Sequence, residues 1–213
     1  MQVFVPFDAR QPKTRLGGVL DADEREAFAR AMLCDVIGAL TGAGYTPTVL
    51  ASAQCDFASD ECVGLDDIPV RIDERPLTPA VNAVLTEHSP TAIVMADLPL
   101  LTPQTVDRLF TTTGEVVLAP GLGGGTNALV SRHPEFRVDY HDGSYRKHTD
   151  AAQACGAEPI AVDSFRCGID VDEPTDLTEV LLHSDGNATR WLRTQGFRLA
   201  TGDRGLRARR TSE

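Results

Sequence analysis

The stretch Ile93-Val94-Met95-Ala96-Asp97-Leu98-Pro99 constrains the fold of this chain more than any other. It is a short, apolar, β-prone run that stops at an acid followed by Leu-Pro, the pattern of a buried strand delivering one carboxylate to the end of a sheet. Pro99 has no N–H to give to a ladder, so pairing should end beside it. In an open parallel sheet, ligands sit in the crevice beyond the carboxyl ends of the strands. Asp97 is therefore a candidate metal ligand, with a cap on the helix that opens at Thr102-Pro103 as its alternative role.

The chain around it alternates strand and helix signals, the rhythm of a parallel α/β sheet. A first strand runs from the amino terminus through Val5. Acids at Asp21, Asp23 and Glu24 then open a helix whose apolar stripe is Phe28, Met32, Leu33, Val36, Ile37 and Leu40. Thr78-Pro79 reads as a capping hydroxyl with proline at the first helical position, and Asn82 falls off the buried stripe of that helix, facing a ligand or solvent. Strands follow over 48–51, 116–119 and 128–131, with a helix over 145–155 capped by Ser144. The run from Phe165 repeats the pattern of strand, acids, proline and helix. A short helix over 188–195 precedes a tail carrying Arg204, Arg207, Arg209 and Arg210, expected to be disordered.

A chain of 213 residues with 42% hydrophobic content fits one domain over 1–183 and a small appendage over 184–213. The start Met1-Gln2-Val3-Phe4-Val5-Pro6 lacks the charged lead and long apolar run of a signal peptide, and no apolar run is long enough to span a membrane. Five cysteines without a C-x-x-C pair predict reduced thiols, a cytoplasmic setting and no structural zinc. The formal net charge of −11 excludes a general nucleic-acid binder, because phosphate neutralisation needs a basic face. Self-repulsion at this charge predicts a high-salt cytosol that screens it, as in a halophile.

Three further clusters carry candidate chemistry. The loop from Pro6 to Gly18 holds Lys13 and Arg15 just past the first strand, placed to wrap around nucleotide phosphates or to stand solvated; it lacks the Gly-x-x-x-x-Gly-Lys-Ser/Thr of a Walker A loop. Gly123-Gly124-Gly125-Thr126-Asn127 offers backbone amides to an anion, or forms a hairpin, and it departs from the dinucleotide fingerprint. Asp170 and Asp172 stand two apart in an extended segment, point the same way, and with Asp97 can supply the one or two carboxylates that magnesium prefers.

As an ordered set, Val5-Pro6-Phe7, Pro12-Lys13-Thr14-Arg15-Leu16, Ala96-Asp97-Leu98-Pro99-Leu100, Gly123 through Leu129, Gly143-Ser144-Tyr145 with His148, and Asp170 through Leu177 resemble the 2-phospho-L-lactate guanylyltransferase family of coenzyme F-420 biosynthesis. The resemblance covers residues 1–182. It implies a Rossmann-like, GT-A-like nucleotidyltransferase fold of three layers with a mixed, mainly parallel sheet, a requirement for GTP and magnesium, and a homodimer. It implies that Lys13 and Arg15, with Pro6 and Asn82, face GTP, that Lys13, Arg15 and Asp97 carry catalysis, and that Asp97, Asp170 and Asp172 hold the metal. Gly124, Gly125, Thr126, Asn127 and Ser144 would receive the phosphorylated acid. The acidic region Cys55–Asp73 is assigned to the neighbourhood of the base without roles for single residues. Competing readings are a transferase acting on phosphoenolpyruvate or 3-phosphoglycerate, a glycosyltransferase using Asp170 and Asp172, and a nucleotide-binding domain without turnover.

Overall fold

The structure is a computed structural model and describes residues 1–55, 67–202 and 205–211. In chain order come β1 (Gln2–Phe7), a 3-10 turn (Thr14–Gly18), α1 (Ala22–Gly42), β2 (Pro47–Ala51), β3 (Val70–Ile72), α2 (Leu77–Glu87), β4 (Thr91–Val94) and α3 (Pro103–Thr111). There follow β5 (Val116–Pro120), β6 (Thr126–Ser131), α4 (Ser144–Ala154), β7 (Pro159–Ala161), α5 (Phe165–Gly168), α6 (Leu177–His183), α7 (Asn187–Thr194), β8 (Phe197–Gly202) and β9 (Gly205–Arg210).

Among the described residues, the first seven strands form one sheet in the order β3-β2-β1-β4-β6-β5-β7. All neighbours pair parallel except β6, which runs antiparallel to both β4 and β5. The strand and helix rhythm predicts a parallel sheet, and the mixed, mainly parallel sheet that the family resemblance implies is the one that forms. Side chains along β1 alternate between two apolar clusters. Val3, Val5 and Phe7 pack with α1 and α3 on one face, and Phe4 packs with Val81 and Val84 of α2 on the other. Three layers result, and each fully buried aliphatic or aromatic side chain stabilises them by about 1.5–3 kcal/mol.

Helix starts show how local chemistry sets these elements. Asp21 and Glu24 close a reciprocal capping box on α1, and Thr102 caps α3 with Pro103 in its first turn. α2 departs from expectation. Its N-cap is Pro76, whose carbonyl accepts from Ala80 N, so Thr78 and Pro79 lie inside the first turn. The Thr78 hydroxyl accepts instead from the backbone N of Tyr140 at 3.0 Å. α4 likewise starts one residue early, because Gly143 takes the cap in a left-handed conformation, φ 69°, that costs glycine nothing. The segment expected as a strand at Phe165 is the helical turn α5, capped by Ser164, whose side chain accepts from Cys167 N.

The carboxyl-terminal part is ordered, contrary to the disordered tail expected from its arginines. β8 and β9 pair as an antiparallel hairpin, and Ala208 N donates to Thr178 Oγ1 of α6 at 2.9 Å. Phe197 is buried beneath the Arg210 guanidinium, which also pairs with Glu24. Asp35 of α1 accepts from the backbone N of Ala188 at 2.9 Å and caps α7, while Trp191 packs on Phe28 with ring centroids 5.3 Å apart. The sequence shows charge along the tail but not the docking surface that orders it. Cys155 and Cys167 are free thiols, whereas Cys34 is disulfide-bonded. This corrects the all-reduced expectation, since pairing follows spatial proximity and not sequence spacing.

Asn82 also proves to be structural. Its Nδ2 donates to Val138 O at 2.9 Å and its Oδ1 accepts from Val138 N at 2.8 Å, so both ends of the amide are spent on one backbone unit. Asn82→Ala strands that half-buried N–H and C=O. We expect a loss of about 1–3 kcal/mol in urea unfolding; intact stability in the variant would restore the ligand-facing role.

Candidate active site

β1 and β4 pair side by side at the centre of the sheet, and both deliver acids beyond their carboxyl ends, Asp8 and Asp97. The ladder between β4 and β6 continues one residue past the strand through Met95 N, which donates to Asn127 O at 2.9 Å. Val171 N donates to Asp97 O at 3.1 Å and pins the 170–172 segment against the end of β4. Because Ile169 and Val171 are buried in the core, the alternation of an extended chain turns Asp170 and Asp172 to the same open side.

Lys13 completes the cluster. Its Nζ lies 2.6 Å from Asp97 Oδ2 and 2.8 Å from Asp172 Oδ1, and Arg15 Nη1 reaches Asp172 Oδ2 at 3.3 Å. Burial works to lower the pKa of Lys13, but attraction to Asp97 and Asp172 outweighs it and holds the ammonium above its ordinary value. Lys13 adopts a left-handed backbone, φ 54° and ψ 44°, rare for a residue with a side chain and tolerated where the surroundings over-determine it.

The carboxylates are left half-satisfied. Asp97 Oδ1 is buried and has no hydrogen-bond partner. Asp170 is pushed up from its ordinary carboxylate value by burial and by the nearby charge of Asp97, against the bond that its Oδ1 accepts from Asn127 Nδ2 at 3.0 Å. An orphaned carboxylate oxygen beside a second carboxylate that resists ionisation suits an added cation. Asp172 is already spent on Lys13 and Arg15. Among the described residues no three His, Cys, Asp or Glu side chains stand together as a metal-holding group.

A cavity of about 600 Å³ opens beyond the ends of β1, β2 and β4, with Pro6, Lys13, Arg15, Asp97 and Asp172 in its wall. The same wall contains Asp8, Ser52, Asp73 and Arg75, which were not singled out from the sequence. A signal for two of them was present, since Val3 through Phe7 ends at Asp8 and Val70 through Ile72 ends at Asp73, the pattern already noticed at Asp97. Asn82, Gly124, Gly125, Thr126, Asn127, Ser144 and Asp170 are not in that wall. Residues 56–66 of the acidic region expected near the base lie outside the described residues.

The expected acceptor residues form a buried brace. Thr126 N donates to Ser144 Oγ at 2.9 Å, Thr126 Oγ1 meets His148 Nδ1 at 2.8 Å, and Asn127 Nδ2 also donates to Cys167 O at 2.9 Å. Thr126, Asn127 and Ser144 are buried, while Gly124 and Gly125 form the more exposed turn before them. His148 Nε2 accepts from Asp139 N at 3.0 Å, so the ring is neutral with its proton on Nδ1.

With this geometry in place, comparison with known proteins is decisive. The family described as "Guanylyl transferase CofC like" matches residues 1–211. The chain belongs to this family. A 2-phospho-L-lactate guanylyltransferase from Natronomonas pharaonis is 57% identical over 203 residues, covering 95% of this chain and 96% of that protein. One from Halomicrobium mukohataei is 54% identical over 204 residues, covering 95% and 96%. Among solved structures, a candidate nucleotide-diphospho-sugar transferase from Desulfovibrio desulfuricans shares the fold with TM-score 0.73 at 15% identity, covering 92% of this chain and 96% of its own. No helix among the described residues is long and apolar enough to cross a membrane.

The brace titrates. Burial lowers the pKa of His148 from 6.5 to about 4, so between those values the unfolded chain binds a proton that the folded chain refuses. Stability should therefore fall as pH drops from about 6.5 towards 4. Urea midpoints across that window should show the decline, and His148→Gln should flatten it; an equal decline in the variant would assign the effect elsewhere.

Proposed function

We propose that the chain joins 2-phospho-L-lactate to the GMP moiety of GTP, giving lactyl-2-diphospho-guanosine and pyrophosphate in coenzyme F-420 biosynthesis. The observation that carries the reading is the Lys13 ammonium clamped between Asp97 and Asp172 in the cavity wall, beside a buried carboxylate oxygen with no partner. Guanylyl transfer by the family, and the names of relatives at 57% and 54% identity, support it.

The acceptor phosphate needs no general base, because its second ionisation near about pH 6 leaves it mostly dianionic at neutral pH. Its oxygen attacks the α-phosphorus of GTP, the bond to the bridging oxygen breaks, and pyrophosphate leaves with the electron pair. The task left to the protein is to align two anions and offset their repulsion. Lys13 and Arg15 supply fixed positive charge on the nucleotide phosphates, and Pro6 shapes the wall beside them. Magnesium, held by Asp97 and Asp170, would neutralise further phosphate charge when bound. On the acceptor side, the hydroxyls of Thr126 and Ser144 and both backbone groups of Gly124 are already in internal bonds, so recognition falls to the Gly125 N–H in that turn, braced from behind by Asn127.

The test is pyrophosphate release from GTP with 2-phospho-L-lactate, phosphoenolpyruvate, 3-phosphoglycerate or no acceptor. Release should depend on phospholactate, stop on chelation of magnesium, and fall by about 10²–10³-fold in Asp97→Asn. Dependence on a different acceptor would keep the chemistry and change the substrate, and absence of release from folded protein would leave nucleotide binding without turnover.

The net charge of −11 supports an enzyme suited to a high-salt cytosol, and the homodimer is what the family resemblance implies. Thermal midpoints should rise from dilute buffer to molar KCl, with sedimentation velocity in the same series reading a dimer. Full stability in dilute buffer, or a monomer throughout, would remove these two features.

A further inference from the structure

The cavity has two chemically different ends. Lys13, Arg15 and Asp97 occupy the end at β1 and β4. The other end lies beyond β2 and β3, up to three strands away from β4 in the sheet order. At about 4.8 Å per strand that is roughly 14 Å, a separation suited to an extended nucleotide. The wall there includes apolar Leu50, Leu77 and Ala80 together with Arg75.

Arg75 is unusually well aimed for a half-exposed arginine. Asp73 N donates to Ala51 O at 2.9 Å, which anchors the acid to the end of β2. The Asp73 carboxylate, only 7% exposed, then takes Arg75 Nε at 2.8 Å on Oδ1 and Arg75 Nη2 at 2.5 Å on Oδ2. A planar guanidinium fixed on that edge retains its second edge, where Nη1 and Nη2 present two parallel N–H donors. Such an edge matches two adjacent acceptors. Guanine offers O6 and N7 side by side, whereas adenine puts an N–H₂ donor in place of O6.

We propose that Arg75, oriented by Asp73, reads the O6/N7 edge of the guanine base and selects GTP over ATP. The inference rests on the guanylyl-transfer reading and adds a specificity-determining residue to it. A role on the triphosphate fits less well. Lys13 and Arg15 already supply cations at the end by β1 and β4, whereas Arg75 is tied to Asp73 at the end of β3 and the nearby Arg10 pairs with Glu74 at 3.7 Å.

The experiment measures kcat/KM for GTP, ITP, 7-deaza-GTP and ATP with wild-type protein and Arg75→Met, with calorimetric binding of GTP and 7-deaza-GTP to both. ITP keeps O6 and N7, while 7-deaza-GTP lacks N7. Loss of one bidentate base contact predicts a fall of about 5- to 150-fold for GTP and for ITP, with ATP little changed. The penalty that wild type shows with 7-deaza-GTP should vanish in the variant. Equal losses on GTP, ITP and ATP would place Arg75 on the phosphates and overturn the proposal, as would a 7-deaza penalty that survives in Arg75→Met or no effect of the variant at all. Absence of turnover in wild type with every acceptor would overturn guanylyl transfer instead, and the binding arm would still decide the role of Arg75.

Discussion

Lys13 binds two carboxylates that stand 84 and 159 residues further along the chain, and the site depends on that contact. Three segments meet there: the loop after β1, the end of β4, and the extended run before α6. Each presents a charge that would be costly beside the core without its partners. The left-handed backbone at Lys13 shows what the arrangement costs, since a side-chain-bearing residue enters that region at a penalty of about 1–2 kcal/mol. Two charge-assisted bonds to one ammonium offset it. The loop is thus drawn over the sheet by its own cation, and the cavity exists because the loop is held there.

Behind the charges lies a scaffold of polar groups that never reach the cavity. β6, the one antiparallel strand of the seven-stranded sheet among the described residues, is wedged between β4 and β5 and buried at every position. Its polar residues need partners, and Ser144, His148 and Cys167 O provide them. Asn127 carries this order outward, because its amide holds Asp170 near Asp97. The glycines before β6 serve the same end. Gly121 lies so close to the Asn127 side chain that an added Cβ would meet Oδ1 at 2.6 Å. A glycine-rich run that looks built for an anion is at this point also built for the close packing of an asparagine.

The sequence was informative wherever a local rule governs. A strand ended by acid and proline, an acid-opened helix at Asp21, a Thr-Pro start at Thr102, and two aspartates spaced to share one side of an extended chain all appear in the structure as those rules require. It misled wherever a polar side chain had two uses with the same local signature. Ser144 looks like a helix cap and serves as an acceptor inside the protein. Asn82 looks free to meet a ligand and is spent on Val138. Arg207, Arg209 and Arg210 look like part of a disordered tail, yet Phe197 and Ala208 dock the β8–β9 hairpin on α6 and α7.

From the sequence by itself come the alternating α/β architecture, the order of its catalytic motifs and the membership of a nucleotidyltransferase family. The architecture rests on periodicity and turn chemistry that act over a few neighbours along the chain, and the family on the resemblance of an ordered set of motifs. Tertiary structure alone decided which carboxylates share a cation, which hydroxyls are already bonded, and that Asp73 and Arg75 are paired in the wall of the cavity. Those outcomes depend on distances between segments remote in sequence, and burial makes each one consequential, because a buried polar group must find its partner inside the protein.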